Sequence, residues 1–107
     1  MNTANVYSRL GTDPDLAELV ELFIQEMPGR ISVLESEAES SNWQQLTRTA
    51  HQLKGAAGSY GFDAITPYAA RLERAAKEDS QEDQIPSTLG DLIDVCRSVR
   101  TGSPSGN

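Results

Sequence analysis

The sequence predicts an all-α fold: an up-down antiparallel four-helix bundle with a short leading helix or turn over residues 6–10 and a kinked first long helix. Three observations carry this. Apolar residues recur at spacings of three and four along most of the chain, and nothing has the strict period-2 alternation of a half-buried strand. The connections between successive stripes are only a few residues long, which sets consecutive helices side by side and antiparallel. With 107 residues the chain has the length of one domain with one modest core, expected over residues 1–101. The remaining 102–107 are Gly, Ser, Pro and Asn, a composition that predicts a disordered tail.

Asp13 suits an N-cap with Pro14 at the first helical position. From there Leu16, Leu19, Val20, Phe23, Met27, Ile31, Leu34 and Ala38 form the stripe of one amphipathic helix over about residues 14–39. Pro28 and Gly29 fall in its middle, where a proline removes a backbone hydrogen bond and clashes with the preceding turn, so a kink or a break into two helices is expected. Asn42 caps the second helix with Gln45 three residues on; the stripe runs Trp43, Leu46, Ala50, Leu53, Ala57, and Gly58 and Gly61 close it. The third carries Ile65, Tyr68, Ala69, Leu72 and Ala76. Because Pro67 prefers a first turn, its start is expected at Thr66 as cap rather than at Asp63. After the polar run 78–83, Ile85, Leu89, Leu92, Ile93, Cys96 and Val99 make the fourth stripe, with Cys96 as a buried thiol.

Nine Lys and Arg against sixteen Asp and Glu give a net charge of −7. That disfavours nonspecific nucleic-acid binding, which needs a basic surface to neutralise phosphates, and docking on an anionic membrane. The single cysteine cannot form an intrachain disulfide, and no run approaches the ~20 apolar residues that span a bilayer. Residues 1–10 have neither the basic nor the apolar part of a secretory signal. A soluble cytoplasmic protein is therefore expected, and as nothing in the stripes demands a dimer, a monomer. The charge is uneven. Residues 1–47 hold eight acids and two bases, residues 78–107 six acids and two bases, and only the middle, 48–77, is positive, with five bases and two acids.

That middle segment holds the one histidine. At 100° per residue Ala50 lies on the buried stripe and His51 is rotated off it, with Thr47 and Arg48 one turn before, Lys54 and Gly55 one turn after, and Gly58 two turns after. Two glycines inside a helix cost roughly 1 kcal/mol each relative to alanine, and without Cβ atoms they let another protein approach the imidazole closely. A free imidazole, with a pKa near ~6.5, is mostly uncharged at neutral pH and has a nucleophilic ring nitrogen. Lys54 can offset the charge of a group attached to it, such as a phosphoryl. Each feature suits a histidine that accepts and returns a phosphoryl group.

Other readings of the same residues stand beside this one: a surface or packing histidine, glycines that merely allow close helix packing, an ordinary solvated Lys54. A metal site lacks a second His or a Cys at ligand spacing, so none is expected. There is no Gly-x-Ser-x-Gly elbow and no Gly-rich phosphate loop after a strand, so no triad chemistry and no ATP site of its own are expected either. A metal-assisted hydrolase would need bound metal. A helical adaptor that binds a signalling partner without phosphorylation is the alternative from another class.

The run His51-x-Leu53-Lys54-Gly55-x-x-Gly58-Ser59-x-Gly61 resembles the signature of the histidine-containing phosphotransfer (HPt) domain family of two-component phosphorelays, and of the related domain of chemotaxis histidine kinases. The likeness extends to Asp13-Pro14, to Phe23 through Met27-Pro28 with Arg30, to Asn42-Trp43 and to Leu72-Glu73, covering nearly all of residues 13–99. The resemblance implies a carrier rather than an enzyme, with His51 phosphorylated at Nε2 and Lys54 assisting. Partners would be response-regulator receiver domains and a sensor histidine kinase. No cofactor is expected on this chain, Mg²⁺ being held by the receiver. The positive middle third independently suits an acidic partner. Gly55, Gly58, Gln52, Arg48 and Thr47 are the expected docking face. Gln52 either bonds near the phosphoryl group or is simply solvated, and Arg48 belongs to docking or solvation rather than to direct phosphate binding.

Overall fold

Four helices form where the stripes lie: α1 (Ala17–Glu39), α2 (Trp43–Ser59), α3 (Thr66–Lys77) and α4 (Ile85–Cys96). They belong to a computed structural model that describes residues 5–78 and 83–100. The expected tail, 102–107, lies outside the described residues.

Regular helix begins at Ala17 rather than at residue 14. Residues 14–16 form a turn in which an Asp13 carboxylate oxygen accepts from the Asp15 N–H at 2.9 Å and the Asp13 carbonyl from the Ala17 N–H, also at 2.9 Å. Asp13 thus caps this preliminary turn rather than α1, whose cap position is Leu16, without a side-chain bond. Pro28 does not divide the helix, which runs through it for 23 residues. The proline is exposed, while Phe23, Met27, Ile31 and Leu34 on either side of it are buried in one core. Packing of the inner face outweighs the single hydrogen bond lost on the outer one.

Asn42 caps α2, its side-chain oxygen accepting from the Gln45 N–H at 3.4 Å. At the other end the Gly61 N–H bonds to the Gly58 carbonyl and the Phe62 N–H to the Ala57 carbonyl, with Gly61 at φ +79. This is a Schellman closure, and it needs a residue that tolerates the left-handed region. Thr66 is the first residue of α3 rather than its cap. Ile65 takes the cap position without a side-chain bond, and Pro67 sits in the first turn as expected. Phe62 and Ile65 are fully buried, and the Ile65 N–H already reaches the Phe62 carbonyl, so packing rather than a hydroxyl cap starts this helix.

Two expectations are corrected at the chain ends. Residues 6–10 form no helix, and Val99 does not continue α4. Instead β1 (Val6–Tyr7) pairs in parallel with β2 (Val99–Arg100), Val6 opposite Val99 and Tyr7 opposite Arg100. Strands of two residues are too short to show any periodicity, so the pairing is invisible locally. It straps the N-terminal segment across the closed end of α2. There the Ser8 hydroxyl donates to the Tyr60 carbonyl, the Arg9 N–H bonds to the Gly61 carbonyl, and the Arg9 guanidinium reaches the Gly58 carbonyl and Asp63.

The core draws on all four stripes and adds Phe62, Ala75 and Val95, whereas Leu19, expected in the first stripe, is 46% exposed because it turns off the packed face of α1. Phe23 stacks on Tyr60 and Phe62 with ring centroids 5.1 and 5.3 Å apart, and the Arg30 guanidinium lies 5.3 Å from the Phe23 centroid. Cys96 is fully buried, and burial pushes its thiol pKa up to about 12, against a smaller opposing effect of Arg30.

Candidate functional site

His51 projects from the outer side of α2, its side chain 65% exposed, opposite the C-terminal half of α3. There the Glu73 carboxylate, only 20% exposed, bridges two residues of α2: Oε2 lies 3.0 Å from Nδ1 of His51, and Oε1 2.7 Å from Nζ of Lys54. The spacing of three between His51 and Lys54 puts them one turn apart, and α3 packs against α2 closely enough for one carboxylate to span both.

The electrostatics decide the tautomer. The Lys54 hydrogen bond, outweighing partial burial and joined by the bond from His51, holds the Glu73 carboxyl below its ordinary value of 4.5, so it is ionised at neutral pH. A carboxylate only accepts hydrogen bonds; Nδ1 must therefore carry the proton and donate it. In the neutral ring the lone pair then falls to Nε2, which makes no hydrogen bond among the described residues.

The glycines answer a question the sequence left open. A Cβ built on Gly55 or on Gly58 would meet nothing within 4 Å, so neither serves close packing inside the chain. Gly55 keeps the surface beside His51 bare, while at Gly58 the Arg9 guanidinium covers the carbonyl and leaves the Cα side open. On the other flank a groove of about 510 Å³ is lined by Trp43, Thr47, Arg48, His51, Glu73 and Lys77, among others.

Of the expected docking residues, Thr47 and Arg48 share this groove with His51, although the Thr47 hydroxyl is engaged, donating to the Trp43 carbonyl at 2.8 Å. Gln52 is not brought to it. It lies across α2, lining a separate groove with Arg30, Val33 and Thr49. Lys54 is half-buried and turned toward α3. Glu73 is the functional residue that sequence reasoning passed over, noted only as part of the third helix. A signal was available, since it is one of just two acids in the positive middle third. Among the described residues no group of three His, Cys, Asp or Glu side chains converges as a metal ligand set.

The site is thus an exposed histidine of α2 held by a carboxylate of α3 on a four-helix bundle. The chain belongs to the Hpt domain family, whose model matches residues 18–101. It is similar to the phosphorelay protein LuxU of Vibrio vulnificus, with 30% identity over 91 residues that span 85% of this chain and 77% of the relative, in both strain YJ016 and strain CMCP6. No solved structure matches the chain significantly. Among the described residues no helix is long and apolar enough to cross a membrane.

Proposed function

We propose that this chain is a cytoplasmic phosphorelay intermediate that takes a phosphoryl group from the aspartate of one receiver domain, or from a kinase, onto Nε2 of His51 and passes it to the aspartate of a second receiver. The observation that carries this reading is the Nδ1–H to Glu73 bond. It leaves Nε2 as the free nucleophile on a face kept open by Gly55 and Gly58.

In the forward step the Nε2 lone pair attacks phosphorus in line as the acyl-phosphate P–O bond breaks, and the donor aspartate leaves as carboxylate. The ring keeps its Nδ1 proton and becomes cationic, and the ionised Glu73 offsets that charge across 3.0 Å. In the return step a carboxylate oxygen of the acceptor aspartate attacks phosphorus and forms the new P–O bond as the N–P bond breaks, its electron pair going back to Nε2, and no proton has to be exchanged. Lys54, held 2.7 Å from Glu73 and one turn from His51 on α2, supplies the phosphoryl oxygens with a positive partner. The divalent metal of this chemistry is the receiver's.

Incubation with a radiolabelled phospho-receiver and Mg²⁺ tests the reading. Label that is acid-labile and base-stable, and absent from His51→Gln, is the expected result. A folded protein that takes no label from a broad receiver panel, yet still binds receivers, would be an adaptor instead.

A further inference from the structure

A second groove, of about 660 Å³, runs between the last third of α1 and the N-terminal half of α4. Ala38, Trp43, Leu89 and Ile93 give it an apolar lining, and Glu35 and Glu39 of α1 stand at its side, both exposed.

Two features of this groove have no purpose in the fold itself. Gly90 lies inside α4, where glycine is the poorest helix former after proline, yet a Cβ there would meet nothing within 4 Å. No neighbour requires its absence, and its effect is to leave the groove open. The charges are the second feature. Glu35 and Glu39 stand in the last two turns of α1, at the negative end of the helix dipole, with no base in the last turn. Glu35 and Glu39 take no ion pair among the described residues.

An apolar trough beside unneutralised carboxylates complements a segment that presents apolar side chains on one side and cations on the other. The face around His51 has the opposite sign, with Arg48 and Lys77 beside the histidine. We propose that the α1–α4 groove docks a lysine- or arginine-rich amphipathic helix of a partner protein, its apolar side chains seated over Gly90 and its cations against Glu35 and Glu39. This partner differs in charge from an acidic receiver and uses a different groove. Trp43 lines both grooves, so the two docking sites adjoin.

The full chain can be titrated with a designed amphipathic Leu/Lys helix and with its Leu/Glu counterpart, following the emission of Trp43, the sole tryptophan. The expected result is saturable binding of the Leu/Lys helix alone, weakened about tenfold or more both by Gly90→Leu, which fills the groove, and by the pair Glu35→Gln and Glu39→Gln. Gly90→Leu improves helix propensity at an open position, and circular dichroism checks its fold; should it not fold, the glutamate pair carries the test. Equal binding of both peptides, no binding of the Leu/Lys helix, unchanged affinity in the folded variants, or self-association of the chain that displaces the peptide would each overturn the proposal.

Discussion

Oε2 of Glu73 lies 3.0 Å from Nδ1 of His51, across the boundary between α3 and α2, and this one contact sets which ring nitrogen is free. Glu73→Gln keeps the shape and removes the charge, and the amide can face His51 with either its oxygen or its nitrogen. Phosphoryl uptake from a receiver is expected to slow by about 10- to 100-fold through the lost orientation and charge compensation, with receiver binding little changed. Single-turnover rates measured against receiver concentration separate the two effects, and an unchanged rate would remove Glu73 from the mechanism.

The same carboxyl makes part of the stability depend on pH. Its folded pKa is depressed below 4.5, so the stabilisation is fully present above that value and is lost as pH falls through the folded pKa. The stability difference between wild type and Glu73→Gln should shrink as the pH falls below 4.5 and through the folded pKa of Glu73. With both partners partly exposed, its size at neutral pH is expected to be about 1 kcal/mol or less. Urea unfolding at several pH values gives the curve.

Gly55 is predicted to trade stability for access. Open space surrounds its Cα, so Gly55→Ala should stabilise the fold by about 0.5–1 kcal/mol through helix propensity alone. Gly55→Trp should also fold, but should obstruct the approach to His51 and raise the receiver concentration needed for half-maximal transfer. Thermal melts and transfer assays on the same preparations would expose a Gly55 that matters only to folding.

Gly61 behaves in the opposite way. At φ +79, a Cβ would stand 2.6 Å from Oγ of Ser8 and 3.0 Å from Cγ of Leu10. Gly61→Ala therefore strains the backbone and pushes the N-terminal strap off the end of α2, at a cost of about 1–3 kcal/mol. Denaturant unfolding measures it. Phosphotransfer by the fraction that remains folded should be near normal, because His51 lies ten residues earlier, inside α2 and away from its closed end.

The helices were legible because periodicity is local: most residues of each stripe at spacings of three and four became the buried face of one helix, Leu19 and Val99 being exceptions. His51 and the glycines were legible for the same reason, since a helix converts spacing directly into angle. Helix starts were less so. Thr66 and Asp13 both offered plausible caps, but burial of Ile65 and a preliminary turn at 14–16 moved the boundaries by one to three residues.

What the sequence determined by itself was the set of four helices and the face of α2 on which His51, Lys54, Gly55 and Gly58 stand together. Only the tertiary structure decided that Glu73 bridges His51 and Lys54, that Gln52 faces α1 instead, that α1 continues through Pro28, and that the first and last described segments pair as strands. Each of these depends on the distance and rotation between elements far apart in the chain. Such quantities come from how the four apolar faces fill one shared core, and no local window of residues contains them.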